Sequence, residues 1–349
     1  MSTATAAQVA ALRHGAGAFL LPRDVFSVQG ADAEAYLQGQ LSQDIKPLAV
    51  GDSTDALLLQ PDGKLSALLR VTRTAVESYV LDLDAGYGEA MVVRLKKFLL
   101  RSKVEIERLE WRCLALRGSG VEAASAGLRT VLAEAGVMEL AFEWNGWSGV
   151  DLLGPKDLIL NPASATLPDE LAACDAEAFD ECRIVSGIPA MGSELTDKTI
   201  AAEAGLVERT VSFTKGCYTG QELVARLDAR GSNVPRRLVG VLGGPDAQGD
   251  RLAFGMTLHT APPSALGAEK AADPVADPVA DPVADKVVGT ITSAAWSSEL
   301  GRWVALAYLH RTVEAPGPIG IRSGDGLGGS RPGSVALLPL HRSTASPAG

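Results

Sequence analysis

Lys215-Gly216-Cys217-Tyr218-Thr219-Gly220-Gln221-Glu222 places one cysteine between two glycines and beside a lysine. A thiol attacks or ligates as thiolate, and both a nearby ammonium and a helix N-terminus favour that form. Gln221 to Ala229 has the composition of a short helix, so Cys217 stands just before its N-terminus. Gly216 and Gly220 permit backbone angles that side chains resist. Two readings remain open on these residues alone. One is a reactive or ligand-donating Cys217 tuned by Lys215, and the other is a small residue buried in a tight turn.

Other chemistries find less support. His14, His259, His310 and His341 are scattered, with no ligand spacing to one another or to cysteine. No serine sits in a nucleophile-elbow context. Cys113, Cys174, Cys182 and Cys217 form no CxxC pair, which fits free thiols in a reducing cytoplasm. The net charge of −10 comes entirely from residues before 236 and argues against broad nucleic-acid binding. No apolar run is long enough to span a bilayer, and no basic stretch followed by an apolar core opens the sequence. The expectation is a cytoplasmic protein without a membrane anchor.

The elements that must position the cysteine follow from periodicity. Val25–Gly30 reads as a strand and Ala31–Ser42 as a helix. Two apolar runs, Asp55–Gln60 and Leu65–Thr72, flank Pro61-Asp62-Gly63-Lys64 and predict a hairpin. Tyr79–Leu83 is a strand, and Glu89–Leu100 a helix with Arg94, Lys97 and Arg101 along a solvated face. Val104 and Ile106 alternate with Glu105 and Glu107 as a strand. Val121–Gly136 reads as a helix, and Pro168–Ser186 as one helix or two, stopped by Gly187 and Pro189. Phe179 and Arg183, four apart, share a face. From Arg236 onward short strands with many Gly and Pro residues predict a β-barrel-like domain. The DPVA repeat within 262–286 cannot hold a helix or a central strand and reads as a disordered loop of unassigned role. The expected division is 1–235 in two lobes, with a ferredoxin-like part at about 50–145, and 236–349 as the barrel.

The octapeptide, continued by Val224, Ala225 and Arg226, resembles the signature of YgfZ-type folate-binding proteins, relatives of the glycine-cleavage T protein (aminomethyltransferase). Gly30–Glu34 with Tyr36–Leu41 and Asp44, Lys96–Val104, Arg183–Pro189, Gly289–Ser293 and Ala305–Tyr308 carry the same likeness. It spans roughly residues 18 to 315. The resemblance implies an α+β, three-lobed aminomethyltransferase-like fold around a channel for folate, with a C-terminal β-barrel. It implies tetrahydrofolate or a one-carbon derivative as cofactor, with Cys217 opening onto the same cavity.

Within that resemblance, Glu194 stands where relatives place a carboxylate that can accept the two donors of a pterin edge. Phe179 stands near an aromatic position that packs on the ligand. Arg183 and Arg226 can pair with the glutamate tail or with Glu194, or serve as structural ion pairs. Tyr218, Gln221 and Glu222 belong to the same signature. Ala67 and Leu68 fall where the aminomethyltransferases carry acidic residues, and neither exchanges a proton. Arg23 or Asp24 falls where some relatives carry a tryptophan.

The function so implied is a folate-binding accessory protein for iron–sulfur cluster assembly or repair, rather than a true aminomethyltransferase. It would support iron–sulfur enzymes, tRNA-modifying ones among them, and its partners would be folate and iron–sulfur assembly or client proteins. The alternatives are a folate-dependent aminomethyltransferase or demethylase, and a non-catalytic interaction scaffold. Client enzymes, folate form, oligomeric state and the part Cys217 plays are not legible in the sequence.

Overall fold

The computed structural model describes residues 3–159, 161–164, 167–231, 233–246, 248–260, 286–323 and 329–343. The DPVA repeat, up to residue 285, lies outside the described residues. Two compact units make up the chain, Met1–Arg183 with Ile188–Val234, and Ile184–Gly187 with Pro235–Gly349.

The first unit runs α1 (Thr3–His14), β1 (Gly17–Leu21), β2 (Arg23–Gln29), α2 (Ala33–Gln40), β3 (Ser53–Leu59), β4 (Leu65–Ala75), β5 (Ser78–Asp84), α3 (Gly88–Lys96) and β6 (Glu105–Leu109). It continues with β7 (Trp111–Arg117), α4 (Val121–Glu134), β8 (Met138–Trp144), β9 (Trp147–Pro155), β10 (Ala172–Ala173), α5 (Ala176–Val185), α6 (Val207–Thr210) and α7 (Gln221–Asp228). Two five-stranded sheets result, ordered β3-β4-β5-β2-β6 and β10-β1-β7-β9-β8.

Strand alternation decides what each face holds. On β5, Tyr79, Leu81 and Leu83 turn to the helices and join Leu37, Leu41, Met91 and Leu95 in one apolar core. The intervening Val80, Asp82 and Asp84 take the other face. On β7, Leu114 and Leu116 pack with Val121 and Leu132 of α4, while Cys113 joins Val25, Val80, Leu140 and Leu153. That last cluster draws side chains from both sheets, so the sheets face one another. Beside it, the same inward faces carry Arg23, Arg70, Arg117 and Asp151.

Several elements differ from the sequence reading. The strand β1, which follows α1, is announced by no period in the sequence. The segment read as one helix or two is a turn at Pro168–Leu171, then β10 held extended by pairing with β1, then α5 alone. The α3 helix ends at Lys96, four residues early. Its Arg94 is buried rather than solvated, donating to the Leu59 carbonyl and to Gln40 Oε1 under the ring of Phe98.

The hairpin of β3 and β4 turns through Gln60–Lys64 and rests against the start of α7. Gly220, the residue before α7, has φ +84°, and a Cβ there would lie 2.5 Å from the Gln60 carbonyl oxygen.

The second unit contains β11 (Arg236–Leu242), β12 (Thr257–His259), β13 (Val287–Ser297), β14 (Arg302–His310), β15 (Gly317–Arg322), β16 (Arg331–Ala336) and α8 (Leu340–Ser343). Its six strands close into a barrel ordered β11-β14-β13-β12-β15-β16. Val239, Val241, Leu258, Ile291, Ala305 and Ile321 fill the interior. Closure leaves no unpaired sheet edge, as the strand-rich texture after Arg236 predicts.

Gly220→Ala should destabilise the first unit by at least about 1–2 kcal/mol, the left-handed penalty, before any shift of the hairpin turn. Chemical denaturation measures it, and an unchanged midpoint would rule out the turn-to-helix contact described.

Candidate functional site

A cavity of about 600 Å³ opens between the two sheets of the first unit. Its floor is a row of alternating charges. Arg70 on β4 spends all three guanidinium nitrogens, with Nε and Nη2 donating to Asp82 at 2.9 and 3.1 Å and Nη1 to Asp151 at 2.6 Å. Arg23 on β2 donates to Asp82 and Asp84 at 2.8 Å each. On the opposite sheet, Arg117 Nη2 donates to Asp151 Oδ1 at 2.7 Å. Burial raises the Asp151 pKa, but Arg117 and Arg70 outweigh it and hold the carboxyl at about 2. Burial likewise lowers Arg70, and Asp82 with Asp151 more than restore it, so its pKa stands well above the ordinary value.

Aromatic rings form the wall. Phe19 and Phe179 stack at 4.5 Å, Trp147 tilts on Phe179 at 5.1 Å, and Phe142 meets Trp147 edge-on at 5.8 Å. The Arg117 guanidinium lies 3.7 Å from the Phe142 centroid, and its buried Nε has no acceptor among the described residues. A tight turn sets two of the rings: Asn145 and Gly146 have φ 51° and 84° and link β8 to β9, so Trp144 and Trp147 pair across the strands. At the rim, Arg209 of α6 lies 4.2 Å from the Trp144 centroid and donates Nε to Asp55 at 2.5 Å.

Four aspartates line the cavity, and each is held by arginine: Asp55 by Arg209, Asp84 by Arg23, Asp151 by Arg70 and Arg117, and Asp180 by Arg183. Of Ala67 and Leu68, Leu68 also lines it and Ala67 is buried.

Of the residues singled out from sequence, Phe179 and Arg183 line the cavity, one turn apart on α5. Glu194 does not. It is fully buried beside the lining, accepting Arg183 Nη1 at 3.1 Å and the Ala190 amide at 3.0 Å. Its carboxylate therefore fixes Arg183 rather than facing a ligand. Of the two residues at the missing tryptophan's place, Arg23 joins the charge row and the lining.

Cys217 is exposed and is not among the cavity-lining residues. This corrects the expected geometry, in which the thiol opens onto the cavity. The reason is local. Lys215 Nζ donates to the Gln38, Leu41 and Gln43 carbonyls at 2.7, 2.7 and 2.9 Å, clasping the loop to the end of α2. Thr219 donates its amide to the Gly39 carbonyl at 3.1 Å. Cys217 also precedes α7 by four residues, outside its first turn. Burial pushes the Lys215 ammonium down to about 8.

Tyr218 is buried in an apolar cluster with Leu195, Leu206 and Val224. Gln221 accepts its amide at 2.9 Å. Glu222 and Arg226 are exposed on α7. None of these four lines the cavity.

The sequence reading passed over Arg70, Asp82, Asp84, Arg117, Asp151 and Arg209. A signal existed for most of them: a charge inside an otherwise apolar strand is rarely buried without a partner. Trp144-Asn145-Gly146-Trp147 likewise carries the short-range signature of a two-residue hairpin.

Comparisons with known proteins bear on this arrangement. Residues 266–327 match the model of the glycine cleavage T-protein C-terminal barrel domain. An uncharacterized protein of Haemophilus influenzae is 29% identical over 60% of this chain and 67% of its own length. An aminomethyltransferase of Streptomyces avermitilis is 26% identical over 95% of the chain and 88% of its own length. The tRNA-modifying protein YgfZ of Escherichia coli is 28% identical over 59% of the chain, which spans 66% of that relative. Among solved structures, the aminomethyltransferase T of the Bartonella henselae glycine cleavage system superposes with a TM-score of 0.73 at 20% identity, over 97% of this chain and 90% of that one. The fold is thus α+β and aminomethyltransferase-like, with a closed C-terminal barrel.

Asp151→Asn should cost about 3–5 kcal/mol at neutral pH, because it leaves the buried Arg117 without its counter-charge and Arg70 with Asp82 alone. The folded pKa is depressed, so the stabilisation is complete above 3.8 and fades as pH falls through about 2. Urea unfolding should show the gap from wild type narrowing only in that window, and a gap constant to pH 2 would rule out the charge as its source.

Lys215→Met distinguishes a clasp from electrostatic tuning. Loss of the clasp frees the loop and speeds alkylation of Cys217. Slower alkylation would mean that the ammonium acts on the thiol by its charge.

Proposed function

We propose that the chain is a YgfZ-type member of the aminomethyltransferase superfamily, a folate-binding accessory protein supporting iron–sulfur enzymes, tRNA-modifying ones included. The observation that carries the reading is the chemistry of the cavity. Its volume, about 600 Å³, lies in the range of small-molecule sites. A flat ring finds an aromatic wall in Phe19, Phe142, Trp147 and Phe179. The Arg117 Nε–H offers a buried donor with no acceptor among the described residues. A pterin edge offers adjacent N–H donors, and Asp84 and Asp180 line the site with carboxylates that are 36% and 60% exposed. These residues fit a reduced folate, tetrahydrofolate or a one-carbon derivative. The folate itself would supply the one-carbon chemistry.

The chain's own residues would bind and orient. Phe179 and Phe19 would pack on the ring, Asp84 would accept its donors, and Arg183, held by Glu194, would fix the segment Ile188–Ala190. With every lining carboxylate in an ion pair and Leu68 at the acidic position, no group is poised to take a proton from an aminomethyl donor. That favours a carrier or accessory role over aminomethyl transfer. Cys217, exposed on the loop clasped by Lys215, would meet a partner protein at the surface as nucleophile or cluster ligand.

Cys217→Ser should fold, bind tetrahydrofolate in the micromolar range, about −8 kcal/mol, and fail to restore iron–sulfur enzyme activity in cells lacking the protein. Full restoration would take the cysteine out of the mechanism. Turnover of methylamine donors with tetrahydrofolate by the wild-type chain would replace the accessory reading with a transferase.

A further inference from the structure

The cavity and Cys217 are separate places in the first unit, and one short element touches both. Arg209 lines the cavity from α6, and the chain reaches Cys217 eight residues later. Arg209 also differs from the other arginines of the charge row. Arg70 and Arg23 spend all three nitrogens on protein acceptors. Arg209 spends Nε alone, on Asp55, and neither terminal nitrogen donates to a described residue. Its plane is steadied by the Trp144 ring at 4.2 Å, and its side chain is 33% exposed at the rim. A guanidinium held on one edge, with both terminal nitrogens open, takes a carboxylate in bidentate fashion.

The backbone of the same residue is tied to the cysteine loop. Gln43 Nε2 donates to the Arg209 carbonyl at 3.2 Å, Ser42 Oγ to the Thr210 carbonyl at 2.6 Å, and the Ser212 amide to the Ser42 carbonyl at 3.0 Å. The Lys215 clasp then closes on Gln38, Leu41 and Gln43. Residues 209–215 and 38–43 are laced together, and Cys217 follows two positions on.

We infer that Arg209 binds the carboxylate end of the cavity's ligand and that an occupied cavity, acting through the 209–215 segment, changes the exposure of Cys217; the inference rests on the folate reading above. A ligand carboxylate on the two terminal nitrogens draws the guanidinium toward the cavity while Asp55 holds Nε. The helix α6 has only four residues and is held by the buried Leu206, Thr210 and Val211, so a pull on Arg209 passes to the loop that follows.

The test uses the full chain carrying Cys174→Ser. Cys113 and Cys182 are buried, so a thiol reagent then reads Cys217. Two probes are compared: tetrahydrofolate, and 6-methyltetrahydropterin, which has the ring and no carboxylate tail. Tetrahydrofolate should bind more tightly and alter the alkylation rate, and the bare pterin should leave the rate unchanged. Arg209→Gln should weaken tetrahydrofolate about ten- to hundredfold, as expected for one charge-assisted contact. It should leave pterin affinity unchanged and abolish the ligand's effect on alkylation. Unchanged pterin affinity also certifies the fold. If Arg209→Gln does not fold, Arg209→Lys keeps the ion pair with Asp55, loses the fork, and should still lose most of the preference for the tail. Full tetrahydrofolate affinity in the variant, or a wild type that binds both probes equally, would overturn the inference and leave the folate reading standing. A wild type that binds neither probe would overturn both.

Discussion

Asp151 reaches across from one sheet of the first unit to Arg70 of the other, and the arrangement of the cavity depends on that contact. It is the point where a row of alternating charges passes between the sheets, Asp84–Arg23–Asp82–Arg70 on one side and Asp151–Arg117 on the other. Buried ion pairs contribute little net stability, because desolvation consumes most of the Coulomb gain. Their effect is on specificity. Arg70 stands directly opposite Asp82 in the β4–β5 ladder. A register slip of one residue would send both to the helix-packed face and strand charge in hydrocarbon. The charge row therefore pins strand register and sheet spacing together, and it keeps open a polar space that apolar side chains would have filled.

Ion pairing extends beyond that row: among the described residues, each aspartate that lines the cavity is paired with an arginine. Cys217 lies apart from the cavity, on a loop anchored by Lys215 to three carbonyls at the end of α2. A half-buried ammonium there satisfies acceptors that the end of α2 leaves unpaired. That use of the lysine is architectural, and it accounts for a lysine beside a cysteine without any electrostatic partnership between them.

The octapeptide, the hairpin at Pro61–Lys64, the amphipathic helices and the strand-rich C-terminal texture were all legible in the sequence, because each is a local pattern: turn chemistry, a period of two or 3.6, a run of unusual composition. Phe179 and Arg183 were legible as a pair for the same reason, since four residues make one turn of a helix. Local pattern failed where neighbours in space are far apart in the chain. Arg70 and Asp151 are 81 residues apart, and Arg209 and Asp55 are 154 apart. Arg94 has the spacing of a solvated stripe, yet the carbonyl at the end of β3 draws it inward.

By itself, the sequence determined the family likeness, the α+β character and the residue types available for chemistry. Tertiary structure alone decided which of them meet. It put Glu194 behind Arg183 instead of in the cavity, and it turned Cys217 outward. It also assembled a cavity lining from arginines and aspartates that no spacing connects. The physical reason is that a buried charge is tolerable only beside its counter-charge, and where that counter-charge lies is fixed by how strands pair and sheets pack, not by distance along the chain.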